Sequence, residues 1–146
     1  MSVGLSISTI RAALADQLKR NLEGQYTVDA WPSGQPASSN RITVMYPPGD
    51  VIDFWVTFGG AGLSTLRLEL VVEPAGSDVK AASKKLDELL SVGTGHGNSV
   101  IDAVLEDRTL GLGAGIDVIV SSASVDEDLI ARVAVTVNVS KQGAQV

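Results

Sequence analysis

The groups in this sequence that could do chemistry are few, and their spacing argues against most of it. His96 is the single histidine and the chain has no cysteine, so a zinc site, a thiol nucleophile or a disulfide lacks its usual members. A Ser-His-Asp arrangement would have to be built around a histidine set among glycines. The run from Gly93 to Asn98, GTGHGN, looks at first like a phosphate cradle. A dinucleotide site, however, expects a strand before its glycines, and a P-loop expects Lys-Ser or Lys-Thr after them. Here a helical pattern precedes the run and no such lysine follows, so Gly93, Gly95 and Gly97 read as conformational, allowing positive φ in a tight helix-to-helix connection. The second run, Gly111 to Gly115, also follows a helix and leads into a strand, the reverse of the nucleotide-binding order. Asp126, Glu127 and Asp128 form the densest acidic cluster; three such carboxylates offer oxygen ligands to a divalent ion, but a solvated turn is the simpler account. No G-x-S-x-G elbow is present. No catalytic residue, cofactor-binding residue or metal ligand is therefore expected, and the chain does not read as an enzyme.

The elements that surround these residues follow from periodicity. Ile7, Ile10, Leu14, Leu18 and Leu22 recur at steps of three and four, which predicts a helix with Ser6 as N-cap and Gly24 as its stop. Arg11, Asp16, Lys19, Arg20 and Glu23 fall mostly off that stripe and are expected on its solvated face. Two β-favouring segments, Tyr26 to Trp31 and Arg41 to Tyr46, flank the polar stretch PSGQPASSN. After Pro47-Pro48-Gly49, the segment VIDFWVTF alternates: Ile52, Phe54, Val56 and Phe58 share a face that belongs in a core, and Val51, Asp53, Trp55 and Thr57 share the other. Leu66, Leu68, Leu70 and Val72 then alternate in a half-buried strand, so that the two segments pair as a hairpin tipped by glycines.

A second helix is predicted after Ser77 or Asp78, with Val79, Ala82, Leu86 and Leu89 or Leu90 inward and Gly93 closing it. Asn98 or Ser99 caps a short third helix that buries Val100, Ala103 and Val104, and its early Asp102 suits the positive helix N-terminus. Strands are predicted at Ile116 to Ser121 and Ile130 to Val139, the latter with Ala131, Val133, Val135, Val137 and Val139 on one face. The expected fold is α+β: one domain over residues 1–146 with a frayed tail from about 141. Its sheet is mainly antiparallel with about four to five strands, covered by two longer helices and one short one.

With 146 residues, a single domain of this size can bury its own core without disulfides or metal. A net charge of -6 and a pI near 4.6 disfavour nonspecific grip on nucleic acid or an anionic membrane, which both need a positive field. The start of the chain, MSVGLSISTIRAAL, does not read as a signal peptide, and no apolar run approaches the roughly 20 residues of a membrane span.

The order of elements is informative as a whole: an amphipathic helix, an apolar hairpin, the helix ending LDELL, a glycine loop, the helix SVIDAVLED, then TLGLGAGIDVIVSSAS and the strand ARVAVTVNVS. From about Ser6 to Lys141 this order resembles the tail terminator proteins of long-tailed bacteriophages, a family without an invariant catalytic motif. The resemblance implies a structural virion protein, assembled in the bacterial host cytoplasm. Its small α+β subunit would form a ring, six-fold in that family, on the completed tail tube, end the tube's polymerisation and dock the head-side connector protein. The implied partners are further copies of the chain, the major tail tube protein and the connector. DNA would pass through the ring without specific binding, and no membrane is involved. Such a ring needs heterologous contacts. The hairpin face carrying Trp55, Asp53 and Thr57 supplies candidate interface residues, as does Trp31, the other tryptophan. Two alternatives remain at this stage: another head-tail joining protein, of the neck or tail-completion kind, and a small nucleotide-binding domain using the glycine loops.

Overall fold

The computed structural model describes residues 7–22, 26–32, 40–56, 62–74, 78–93, 95, 97, 99–113 and 115–140, apart from the side chains of 53–56, 62–64 and 140. Helix α1 (Ile7–Asn21) leads into β1 (Thr27–Asp29), β2 (Arg41–Met45), β3 (Ile52–Val56) and β4 (Gly62–Glu73). Helices α2 (Val79–Leu89) and α3 (Val100–Leu105) follow, and β5 (Ile116–Val125) and β6 (Ala131–Ser140) complete the sheet. The fold is α+β in a single domain, with a mostly antiparallel sheet, as expected. Its strand order is β1-β2-β4-β6-β5, with β3 off this path and paired to β4.

Strand β4 organises the sheet. One of its edges pairs with β6 without interruption from Leu63 to Val72. Its other edge is shared: β3 takes Gly62 to Leu66 and β2 takes Glu69 to Glu73. Between β2 and β3 lies Pro47-Pro48-Gly49, where proline removes the N–H a ladder needs and Gly49 adopts a φ of +90°. Among the described residues the one parallel pair is β1 with β2.

The helices lie on one face of the sheet. Leu66, Leu68, Leu70 and Val72 of β4 and Ala131, Val133, Val135 and Val137 of β6 form a single apolar cluster with Ile10, Leu14 and Leu18 of α1, Leu86 and Leu89 of α2, and Val100 and Val104 of α3. Each such burial contributes on the order of 1.5–3 kcal/mol before the cost of ordering the chain. Ile52 packs against this cluster too, in keeping with its predicted face. The opposite face bears polar pairs: Arg132 bonds Glu69 at 2.9 Å, and Thr65 Oγ1 lies 3.1 Å from Asn138 Oδ1.

Asp78 and Ser99 prove to be the N-caps of α2 and α3. The predicted caps and stops at Ser6 and Gly24, the hairpin tip and the C-terminal tail lie outside the described residues. Four expectations about the helices and strands need correction. Strand β1 is only three residues long, so Trp31 lies beyond it. Strand β5 runs on to Val125, since a register shift between Val120 and Ser122 lets pairing with β6 carry the small residues SSAS along. Val79 is 67% exposed rather than inward, because it opens α2 where the helix leaves the core. Arg11, expected in solvent, is 4% exposed, whereas Asp16, Lys19 and Arg20 are exposed as predicted.

Candidate interaction surface

Arg11 lies on the apolar side of α1, four residues after Ile7 and three before Leu14, and the structure gives its charge a place. Its Nε donates to the Ala30 carbonyl at 2.9 Å and its Nη2 to the Val44 carbonyl. These bonds tie the helix to the chain after β1 and to β2, and they offset the cost of burying a cation. Two aromatic rings close over the guanidinium: Tyr46 at 4.9 Å and Trp31 at 5.6 Å from its central carbon. Because β1 and β2 run parallel, Trp31 and Tyr46 emerge at the same end of the sheet. They remain 48% and 49% exposed. A cation–π contact at such a site is worth about 0.5–1 kcal/mol. Its larger effect is to hold two big amphipathic rings in place at the surface, an arrangement that would lower the entropy lost by any binding there.

The glycine loop is built to hold an anion, and the chain supplies that anion itself. Gly93 and Gly95 adopt φ of +83° and +107°. Their N–H groups converge on Asp102 of α3, bonding Oδ1 and Oδ2 at 3.0 Å each. Asp102 was expected only to face the helix N-terminus; its carboxylate clamps the preceding loop. Gly97 does not share the positive φ predicted for it, and a Cβ there would meet the Asn21 carbonyl at an ordinary 3.6 Å. Ser99, fully buried, donates to the carbonyls of Leu89 at 3.2 Å and Ser91, and so fastens the end of α2 to the start of α3.

Two other loops follow the same design. Asp107 accepts from Thr109 N at 3.0 Å, Thr109 Oγ1 at 2.7 Å and Gly111 N at 3.1 Å. These bonds, the Thr109 hydroxyl first, hold its carboxyl below the ordinary value of 3.8. Asp126 Oδ1 accepts from Asp128 N at 2.9 Å and Ile130 N at 3.0 Å, so the acidic cluster is a carboxylate-tied turn. Among the described residues no group of three or more His, Cys, Asp or Glu is arranged to hold a metal ion, and no helix is long and apolar enough to cross a membrane. An open cleft of about 330 Å³ lies between the start of α2 and the β5–β6 turn, lined by Pro74, Val79, Ala82 and Leu129 and by the acids Asp78, Glu127 and Asp128. Its carboxylates disfavour an anion, and the α2 N-terminus inside it is already capped by Asp78.

Of the residues singled out from sequence, Trp31 stands on this surface. Asp53 and Trp55 are in β3, their backbones opposite Thr65 and Leu63, but their side chains lie outside the described residues, as do Thr57 and His96 entirely. Sequence reasoning passed over Tyr46 and the buried Gln17 and misplaced Arg11 on the solvated face. The i+4 and i−3 spacing of Arg11 to Ile7 and Leu14 is the signal that would have found it. No protein-family model matches this chain, and no curated protein matches it.

Proposed function

We propose that this chain is a tail terminator subunit, a structural protein that assembles in a ring on the end of a phage tail tube, stops its growth and presents the surface to which the head-side connector docks. The order of elements, which resembles that family, suggests the role. The observation that carries it is the Trp31–Tyr46 pair: half-exposed aromatics held on a buried cation are the residue types and the rigidity that protein interfaces use as anchors. The self-filled glycine loop supports the same view, because the amides a phosphate would need are engaged by Asp102. The work of such a protein lies in its surfaces, and nothing in it requires an active site.

The test is imaging and native mass spectrometry of the purified protein at high concentration and with tail-tube ends. Closed rings, most simply hexamers, capping the tubes are expected. Protein that stays monomeric and never caps a tube overturns the proposal. In phage lacking the protein, abnormally long and unjoined tails are expected. Tails of normal length that fail to join heads would transfer the assignment to a neck protein.

A further inference from the structure

Among the described residues strand β5 ends the sheet, and its outer edge is closed at one end only. There the Val118 N–H donates to the Arg108 carbonyl at 2.9 Å and the Val118 carbonyl receives Arg108 Nε at 3.3 Å. An antiparallel ladder turns alternate residues outward. Val118 opposes Val137 and Val120 opposes Val135; past the bulge, Ala123 opposes Val133 and Val125 opposes Ala131. The outward residues beyond Val118 are therefore Val120, Ala123 and Val125. Asp126 turns inward as this count demands, its N–H donating to the Ile130 carbonyl at 3.1 Å. Among the described residues, no backbone group meets Val120, Ala123 or Val125 on the outer side.

Edges that must stay unpaired are ordinarily short, charged or broken by proline. The stretch Val120 to Val125, VSSASV, has neither charge nor proline, and the bulge at Ser121 is its one irregularity. Ile119 just before it and Val125 at its end leave 38% and 44% of their surfaces exposed. At the other side of the sheet, β1 offers three residues guarded by the Asp29–Arg41 ion pair, whereas β3 offers five and, among the described residues, pairs with β4 alone.

We propose that the β5 edge from Val120 to Val125 is a strand-docking site, and that its occupant is β3 of a second copy of this chain. The five residues of β3 match the six of the open edge. Following the ladders from β3 through β4 and β6 to β5 shows that β3 runs antiparallel to β5. A neighbour added in the same orientation thus joins with the pairing sense that dominates the subunit itself. The two strands lie on opposite flanks of the sheet, so the contact is heterologous, the kind that generates a ring when rotation closes it. This inference rests on the ring proposed above and names the contact that builds it.

The absence of cysteine makes the test clean. Ala123→Cys is combined in turn with Ile52→Cys, Phe54→Cys or Val56→Cys, and the assembled protein is oxidised. At least one pair should give a covalent ladder rising to the closed ring, while each single-cysteine variant stays uncrosslinked. In parallel, Ala123→Pro, which deletes an outward N–H, and Ala123→Lys, which charges the edge, should remain folded by thermal melt and lose at least about tenfold in self-association, equivalent to about 1.4 kcal/mol. Efficient dimer formation by Ala123→Cys alone would overturn the proposal in favour of a two-fold β5–β5 contact. Rings formed as in the wild type by both edge variants would overturn it while leaving the terminator role standing. A wild-type protein that never self-associates, even on tube ends, would overturn both.

Discussion

The guanidinium of Arg11 lies 4.9 Å from the centre of the Tyr46 ring while it donates a hydrogen bond to the carbonyl of Val44, two residues earlier in the chain. One side chain of α1 thus secures the end of β2 through backbone and ring at once, and fold and surface depend on the same residue.

This dependence separates Arg11 from its aromatic neighbours. Arg11→Ala would leave the Ala30 and Val44 carbonyls without their donor and should cost the fold about 2–3 kcal/mol. Trp31→Ala, at a half-exposed site, should cost less than about 1 kcal/mol and act instead on ring assembly. Urea melts and native mass spectrometry on both variants measure the contrast. Equal destabilisation by the two would show Trp31 to be a structural residue.

The glycine loop predicts a response to anions. Inorganic phosphate should not raise the melting temperature of the wild-type protein, because Asp102 already occupies the N–H groups of Gly93 and Gly95. Asp102→Ala should lower stability by about 1–2 kcal/mol, part of which phosphate would restore. Stabilisation of the wild type by phosphate or a nucleotide would instead favour a ligand-binding role.

Tyr26 should behave against the usual trend of core substitutions. Its hydroxyl is buried without a hydrogen-bond partner among the described residues, and burial, with the nearby Glu88 carboxylate, pushes its pKa upward. Removing that oxygen relieves a desolvation cost, so Tyr26→Phe should be neutral or stabilising by up to about 1 kcal/mol. A clear loss of stability in denaturant melts would reveal a partner for the hydroxyl.

Acid should loosen the turn after α3. The folded-state pKa of Asp107 is depressed from 3.8. The stabilisation it gives is therefore complete above that ordinary value and is lost as pH falls through the lower folded value. Asp107→Asn, which keeps an acceptor oxygen, should flatten this part of the acid limb in pH-dependent melts. An unchanged acid limb would assign acid unfolding to other carboxylates.

Much of the fold is legible in sequence because its signals are repetitive. Ile10, Leu14 and Leu18 mark a helix by spacing alone, and the alternation of β4 and β6 is long enough that a one-residue slip would expose every core side chain. The remainder depends on partners that periodicity cannot supply. SSAS in β5 has no pattern of its own and becomes strand only because β6 continues beside it. Arg11 and Gln17 look like polar interruptions of α1. Gln17 in fact donates to the Ala103 and Val104 carbonyls at 3.1 and 2.6 Å, satisfying the end of α3 from 86 and 87 residues away in sequence. Asp102 is visible as an acid near a helix start, but its bond to two glycine amides across a turn is a tertiary fact. Trp31 could be picked out by residue type; the cation that steadies it could not.

The divided edge of β4 also ranks the parts of the molecule by how readily they come apart. β6 grips β4 along ten consecutive residue pairs, whereas β3 is held to it by five and has no second strand beside it among the described residues. In native-state hydrogen exchange, the amides joining β3 to β4 should open at a free energy well below that of global unfolding, while those between β4 and β6 should exchange only when the whole domain opens. On this expectation the break at Pro47-Pro48-Gly49 acts as a firebreak: β3 should leave and return as a separate cooperative unit without unzipping β2.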